Sequence, residues 1–214
     1  MFSTTAACEH MRFLARTYGR YNTGQFGQIS RHKNAAFTVN DGWLYILGTD
    51  DKDDMYQNLK GIYEPGVHAS GGRAHSGFAE HADTVVLGLK LEGHDPEGLQ
   101  GVVGHSLGGA AAQIIGARYG LRTLTFGSPR VWKRGSPPKE AKAGYTHTRV
   151  WNRSDIIVAV PTRLRWEHFE DSRISFGPSW YIGMFWRFIG RKSQIYHHLP
   201  DTYVQALDEE CKKG

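Results

Sequence analysis

Cysteine is scarce in this 214-residue chain: Cys8 and Cys211 are the only two, one near each end. They can bond if the ends of the chain meet. Two free thiols in a reducing compartment is the expected reading. Long apolar runs are missing too. Residues 1–16 mix polar and apolar side chains, with Glu9, His10 and Arg12 among them, and lack the continuous apolar stretch of a secretion signal. Nothing reaches the length of a membrane span. A cytoplasmic protein is expected, with release on lysis or another export route as the alternative. Charge of one sign is in only modest excess, +5 with a pI near 9.2. No Lys/Arg run is dense enough to argue nucleic-acid binding, and an anionic lipid surface accounts for the basicity equally well. Internal repeats and low-complexity tracts are absent. Hydrophobic residues at 40% and charged residues at 22% exclude a disordered chain. The length suits one domain, taken as residues 1–214.

What the chain does have is concentrated in residues 99–119. Leu99-Gln100-Gly101-Val102-Val103 reads as a short strand. Gly104-His105-Ser106-Leu107-Gly108 is a Gly-x-Ser-x-Gly turn, and the small-residue run from Ala110 to Tyr119 reads as a helix. A nucleophile elbow needs that context. The turn is so tight that a Cβ on either flank would strike the neighbouring backbone, and Gly104 and Gly108 remove both collisions. Ser106 is then expected above the sheet edge with its hydroxyl exposed. Chance alone supplies such a pentapeptide about 0.2 times in a chain of this composition. The rival reading is an ordinary glycine-rich strand-to-helix turn.

Around this feature, helices and strands alternate. Residues 4–19 fit a helix. Residues 35–39 and 43–47 fit two strands joined by the hairpin signal Asn40-Asp41-Gly42. Residues 50–60 read as acidic and then helical, 66–77 as a glycine-rich loop, and 78–91 as a helix with Phe78, Ala82, Val85 and Leu89 on one side. Strands are expected at 121–126 and 146–152, and a helix entered by Pro200 and Asp201. The pattern predicts an α/β domain with a central, mostly parallel sheet, flanking helices and an N-terminal antiparallel hairpin. Ligands gather at the carboxyl ends of such strands, where Ser106, Gly127 and Asp155 all fall.

A serine hydroxyl needs a base, and the base needs an acid to hold its tautomer. The expected chain order is serine, acid, histidine. Asp155, just after a strand, is the best acid, with Asp171 as its rival. His168, His197 and His198 are the candidate bases. His198 opens the terminal helix and can reach back over the sheet edge, and its neighbour His197 remains open.

Further motifs sharpen this. Tyr45-Ile46-Leu47-Gly48-Thr49, Asp54-Met55-Tyr56-Gln57-Asn58-Leu59, His75-Ser76-Gly77-Phe78, the elbow itself, Thr125-Phe126-Gly127-Ser128-Pro129-Arg130-Val131 and residues 152–161 together resemble the class 3, fungal-type lipases of the α/β-hydrolase superfamily, from about Trp43 to Leu207. The resemblance implies a serine carboxylester hydrolase (lipase or esterase) acting on lipid-type esters, without cofactor or metal. Ser106 would be its nucleophile, Asp155 its acid and His198, five residues before Tyr203, its base. Backbone N–H groups of Leu107 and Thr49 would hold the oxyanion. It also implies that His168 is non-catalytic. Two departures stand out: Leu47 replaces the family's usual arginine, and the lid region, residues 50–54, is short and acidic. His75 and His105 read as packing and hydrogen-bonding residues. The apolar, aromatic residues 180–192, with Arg187, Arg191 and Lys192, read either as a flap at an acyl pocket or lipid interface or as a buried helix. Phospholipase, amidase and a non-catalytic binding protein are the rival functions.

Overall fold

Period-two alternation builds the main sheet. Ala35, Phe37, Leu44 and Ile46 enter one core while Ala36, Tyr45 and Leu47 enter another, because adjacent residues on a strand face opposite ways. The computed structural model describes residues 1–22, 29–48, 66–161, 163–177 and 197–212. Its strands are β1 (Ser30–His32), β2 (Ala35–Asn40), β3 (Trp43–Ile46), β4 (Gly66–Ala69), β5 (Gly72–His75), β6 (Gly101–His105), β7 (Arg122–Phe126), β8 (Trp132–Lys133), β9 (Thr146–Asn152), β10 (Trp166–Glu167) and β11 (Ser172–Phe176). Its helices are α1 (Thr4–Asn22), α2 (Ser76–Leu91), α3 (Leu107–Tyr119) and α4 (Pro200–Cys211), with single 3-10 turns at Pro96–Gly98 and Ile157–Ala159.

The main sheet runs β1-β2-β3-β6-β7-β9-β11. From β3 to β11 every pairing is parallel, and β1-β2-β3 forms the expected antiparallel end. A smaller antiparallel sheet has the order β10-β8-β5-β4. Helices α2 and α3 share the core on one face of the main sheet. Helices α1 and α4 share the core on the other. Because β6, β7 and β9 are parallel and in register, with His105 beside Phe126 and Phe126 beside Val150, the loops that leave them emerge along one rim.

Three expectations change. Residues 66–75 form the hairpin β4–β5 rather than a loop, and α2 begins directly after it. Ser70 and Gly71 both have positive φ (47° and 73°), the backbone shape a two-residue hairpin turn requires. Gly, His and Ala carry almost no strand propensity, so the pairing of β5 with β8 stabilises what the local sequence does not announce. Strands β1, β10 and β11 are likewise hidden in the sequence, being short or lying at a sheet edge, with few apolar residues. Finally, Cys8 and Cys211 are not free thiols but a disulfide, with Cα atoms 7.0 Å apart. Helices α1 and α4 pack together on one sheet face, where Arg12 also meets Asp208 at 2.6 Å. Among the described residues no helix is long and apolar enough to cross a membrane. Residues 50–60 and 180–192 lie outside the described residues.

Candidate active site

Ser106 sits between β6 and α3 with φ 58° and ψ −126°, a conformation that costs an L-residue about 1–3 kcal/mol. The surroundings impose it. Its N–H donates to the Phe126 carbonyl at 3.0 Å, and its own carbonyl accepts from Ala110 N–H at 3.1 Å. A Cβ on Gly104 would run into the Gly108 carbonyl, and one on Gly108 would run into the Ile46 carbonyl. The elbow read from the sequence is therefore present. The hydroxyl is not exposed as expected, however: Ser106 is only 2% accessible. The end of β3 closes against it, so that a Cβ on Gly48 would lie 2.7 Å from the Ser106 Cβ.

Asp155 follows β9 and is almost fully buried. Three donors converge on its carboxylate. Ile157 N–H donates to Oδ1 at 2.8 Å, and Oδ2 accepts from His198 Nδ1 at 2.8 Å and from Tyr203 Oη at 2.6 Å. The carboxylate can only accept, so His198 carries its proton on Nδ1 in the neutral ring. Its Nε2 is left as a base. That Nε2 is buried without a hydrogen-bond partner among the described residues. Tyr203 Oη also accepts from Asn152 N–H at 3.1 Å. Burial first, then the Asp155 charge, pushes the Tyr203 phenol well above its ordinary pKa, which keeps it a donor. Gly127, at the end of β7 with φ +56°, forms the floor under the pair. A Cβ there would stand 2.9 Å from Asp155 Oδ2 and 3.0 Å from His198 Nδ1.

His105 links the two halves. Its ring stacks on that of His198 at 4.7 Å, and its Nε2 lies 2.8 Å from the His198 carbonyl. Its Nδ1 lies 3.0 Å from Tyr18 Oη. Burial, followed by the neighbouring His198, lowers the His105 pKa well below the ordinary value. The imidazole is therefore neutral at pH 7 and acts as a structural hydrogen-bonding group, as expected.

The competing candidates make other contacts. His197 offers its carbonyl to Asn152 Nδ2 at 3.5 Å. His168 Nε2 is 2.8 Å from the Val158 carbonyl, and burial drives its pKa down to about 2. Asp171 accepts from His147 N–H at 2.7 Å. Leu107 is the first residue of α3, so its N–H has no acceptor within the helix. Thr49 lies outside the described residues, immediately after Gly48. Sequence reasoning assigned no role to Tyr203 or Tyr18: a tyrosine on an apolar helix face reads as core, and only the fold reveals where its hydroxyl ends. Among the described residues, no three His, Cys, Asp or Glu side chains group to hold a metal.

Residues 43–164 match the family model described as lipase (class 3). Comparison with curated proteins finds no match. Among solved structures, a deletion mutant of the Rhizomucor miehei lipase propeptide complex is 19% identical with a TM-score of 0.57, over 80% of this chain and 67% of that one. A fungal lipase–inhibitor complex is 20% identical with a TM-score of 0.54, over 83% and 82%. The Rhizopus microsporus var. chinensis lipase is 22% identical with a TM-score of 0.47, over 65% of this chain, and the match spans 56% of that lipase's length. The first two likenesses establish an α/β-hydrolase fold.

Proposed function

From a chain that belongs to the class 3 lipase family, we propose a serine carboxylester hydrolase that cleaves lipid-type esters through an acyl-enzyme. The Ser106 hydroxyl attacks the ester carbonyl while His198 Nε2 takes its proton. The resulting imidazolium keeps Nδ1–H on the Asp155 carboxylate, which Tyr203 and the Ile157 N–H hold in place. The developing oxyanion accepts from the backbone N–H groups of Leu107 and Thr49, each such donor lowering the barrier by about 3 kcal/mol. Collapse expels the alcohol, which leaves with the proton from His198. Water then repeats the cycle and releases the acid.

The observation that carries this reading is the buried Asp155–His198 pair, whose Nε2 has no partner among the described residues, with the His198 ring stacked on His105, the residue before the strained elbow serine. A fluorophosphonate should label Ser106 specifically, and Ser106→Ala should abolish both labelling and ester turnover while the protein stays folded. Turnover unchanged in Ser106→Ala refutes the assignment. Nitrophenyl esters of rising chain length, compared with phospholipid, separate lipase and esterase from phospholipase. A lipid-interface contact by residues 180–192 belongs to the same proposal, on their apolar and cationic composition. Vesicle co-sedimentation with and without Trp186→Asp tests it, and equal binding removes it. The Cys8–Cys211 disulfide favours an oxidising compartment over the cytoplasm, which fits the export alternative.

A further inference from the structure

If Ser106 is the nucleophile, three backbone segments must be held in fixed relation: the end of β3 leading into Thr49, the elbow, and the loop carrying His198. Strand and helix geometry places the elbow, and Asp155 orients the His198 ring. One string of hydrogen bonds, buried at His105 and part-buried at Gly48, connects the remaining pieces. Gly48 N–H donates to Tyr18 Oη, Tyr18 Oη meets His105 Nδ1 at 3.0 Å, and His105 Nε2 meets the His198 carbonyl at 2.8 Å.

The direction of every bond is forced. The His198 carbonyl can only accept, so His105 carries its proton on Nε2. In the neutral ring Nδ1 must then accept, so Tyr18 donates to it and uses a lone pair for the Gly48 N–H. Glycine is required at position 48, because a Cβ there would lie 3.0 Å from Tyr18 Oη as well as 2.7 Å from Ser106 Cβ. Helix α1, which supplies Tyr18, is tied to α4 by the Cys8–Cys211 disulfide and by Arg12–Asp208. Helix α4 begins two residues after His198 and carries Tyr203. The helix pair therefore reaches the site from both ends of the chain.

We propose that Tyr18 and His105 are positioning residues. Together they set Gly48 and the His198 backbone relative to Ser106, and the N-terminal helix is thereby part of the catalytic framework rather than only a cover for the sheet. This rests on the reading of Ser106 as nucleophile.

Tyr18→Phe tests it most directly. The variant keeps the ring edge-on to His105 (centroids 5.6 Å apart, 89°) and removes only the hydroxyl. A misplacement of about 1 Å can cost roughly 10²-fold in rate, so kcat on a short-chain nitrophenyl ester should fall about tenfold or more, with KM changed less than about twofold. The rate of fluorophosphonate labelling at Ser106 should fall in step. His105→Gln retains an N–H donor and a carbonyl acceptor, and should keep much more activity than His105→Leu. The thermal midpoint, measured alongside, confirms that each variant is folded at the assay temperature. A merely structural role would lower the midpoint and leave kcat unchanged. Wild-type protein that labels at Ser106, with Tyr18→Phe labelling and turning over at the wild-type rate, overturns this inference and leaves the proposed function standing. Equal activity of His105→Gln and His105→Leu overturns it as well. Wild-type protein that does not label at Ser106 overturns both.

Discussion

Replacing Gly127 by alanine is the sharpest test of the Asp155–His198 pair. The added Cβ would stand 2.9 Å from Asp155 Oδ2 and 3.0 Å from both His198 Nδ1 and Cε1. Ordinary contacts to a Cβ begin near 3.4 Å, so the pair must retreat by about half an ångström or its hydrogen bond must lengthen. Neither residue has slack. Both are buried, they bond each other at 2.8 Å, and Tyr203 holds the carboxylate at 2.6 Å. Alanine at φ +56° adds strain of about 1–2 kcal/mol. For a chain of this size that lowers the melting midpoint by several degrees, about 2–4 °C per kcal/mol, and leaves the protein folded at 25 °C. The reaction should suffer more. Shifting the base by a fraction of an ångström to one ångström costs up to about 10²-fold, or roughly 3 kcal/mol of barrier. Ester kinetics at 25 °C, normalised by Ser106 titration and paired with a thermal melt, give both quantities. A folded Gly127→Ala protein whose kcat stays within about threefold of wild type would refute the argument that this pair works in the reaction.

Three further outcomes are expected. Asp155→Asn should lower kcat by about 10³-fold or more, because the amide no longer enforces the His198 tautomer; steady-state kinetics checks this, and a loss below tenfold counts against the role. Acid should destabilise the protein through its buried histidines. Burial lowers the pKa of His81 and of His147 to about 4, so the unfolded chain binds protons that the folded rings refuse. Stability is intact above the ordinary value of 6.5 and is lost as pH falls toward 4, by about 2 kcal/mol per ring at pH 5 and about 3 at pH 4. Urea midpoints at pH 7 and 5 measure it. His81→Leu, which removes a ring with both nitrogens unpartnered among the described residues, should reduce the difference; an unchanged slope contradicts the cause assigned. Cys8→Ser should lower stability by up to about 5 kcal/mol, the loop-closure entropy for a sequence separation of 203 residues. Matched midpoints for wild type and variant would exclude that contribution.

The features legible in the chain are those whose cause is local. Gly104 and Gly108 must be glycine because backbone carbonyls occupy the places of their Cβ atoms, so the elbow is written in a pentapeptide. Residues 146–152 form a strand with the expected bounds because β-branched and aromatic side chains mark them. The hairpin at 40–42 and the helix entered by Pro200 follow from turn and cap chemistry. The small sheet was illegible for the opposite reason: β4 and β5 are held by pairing with each other and with segments from elsewhere in the chain, Trp132 and the backbone of Val131, Ser136 and Glu140 among them.

The amino-acid order by itself announced a serine in a tight strand-to-helix turn and an α/β sheet to carry it, since a glycine-flanked pentapeptide and the alternation of strand and helix signals mark both. Tertiary structure brings His198 to Asp155, as the spacing to Tyr203 had implied, and it alone decided that Ser106 lies buried, that Cys8 bonds Cys211, and that Tyr18 reaches His105. Those outcomes depend on where helices and loops distant in sequence are brought together, and a one-residue shift in that packing would turn a different side chain toward the carboxylate.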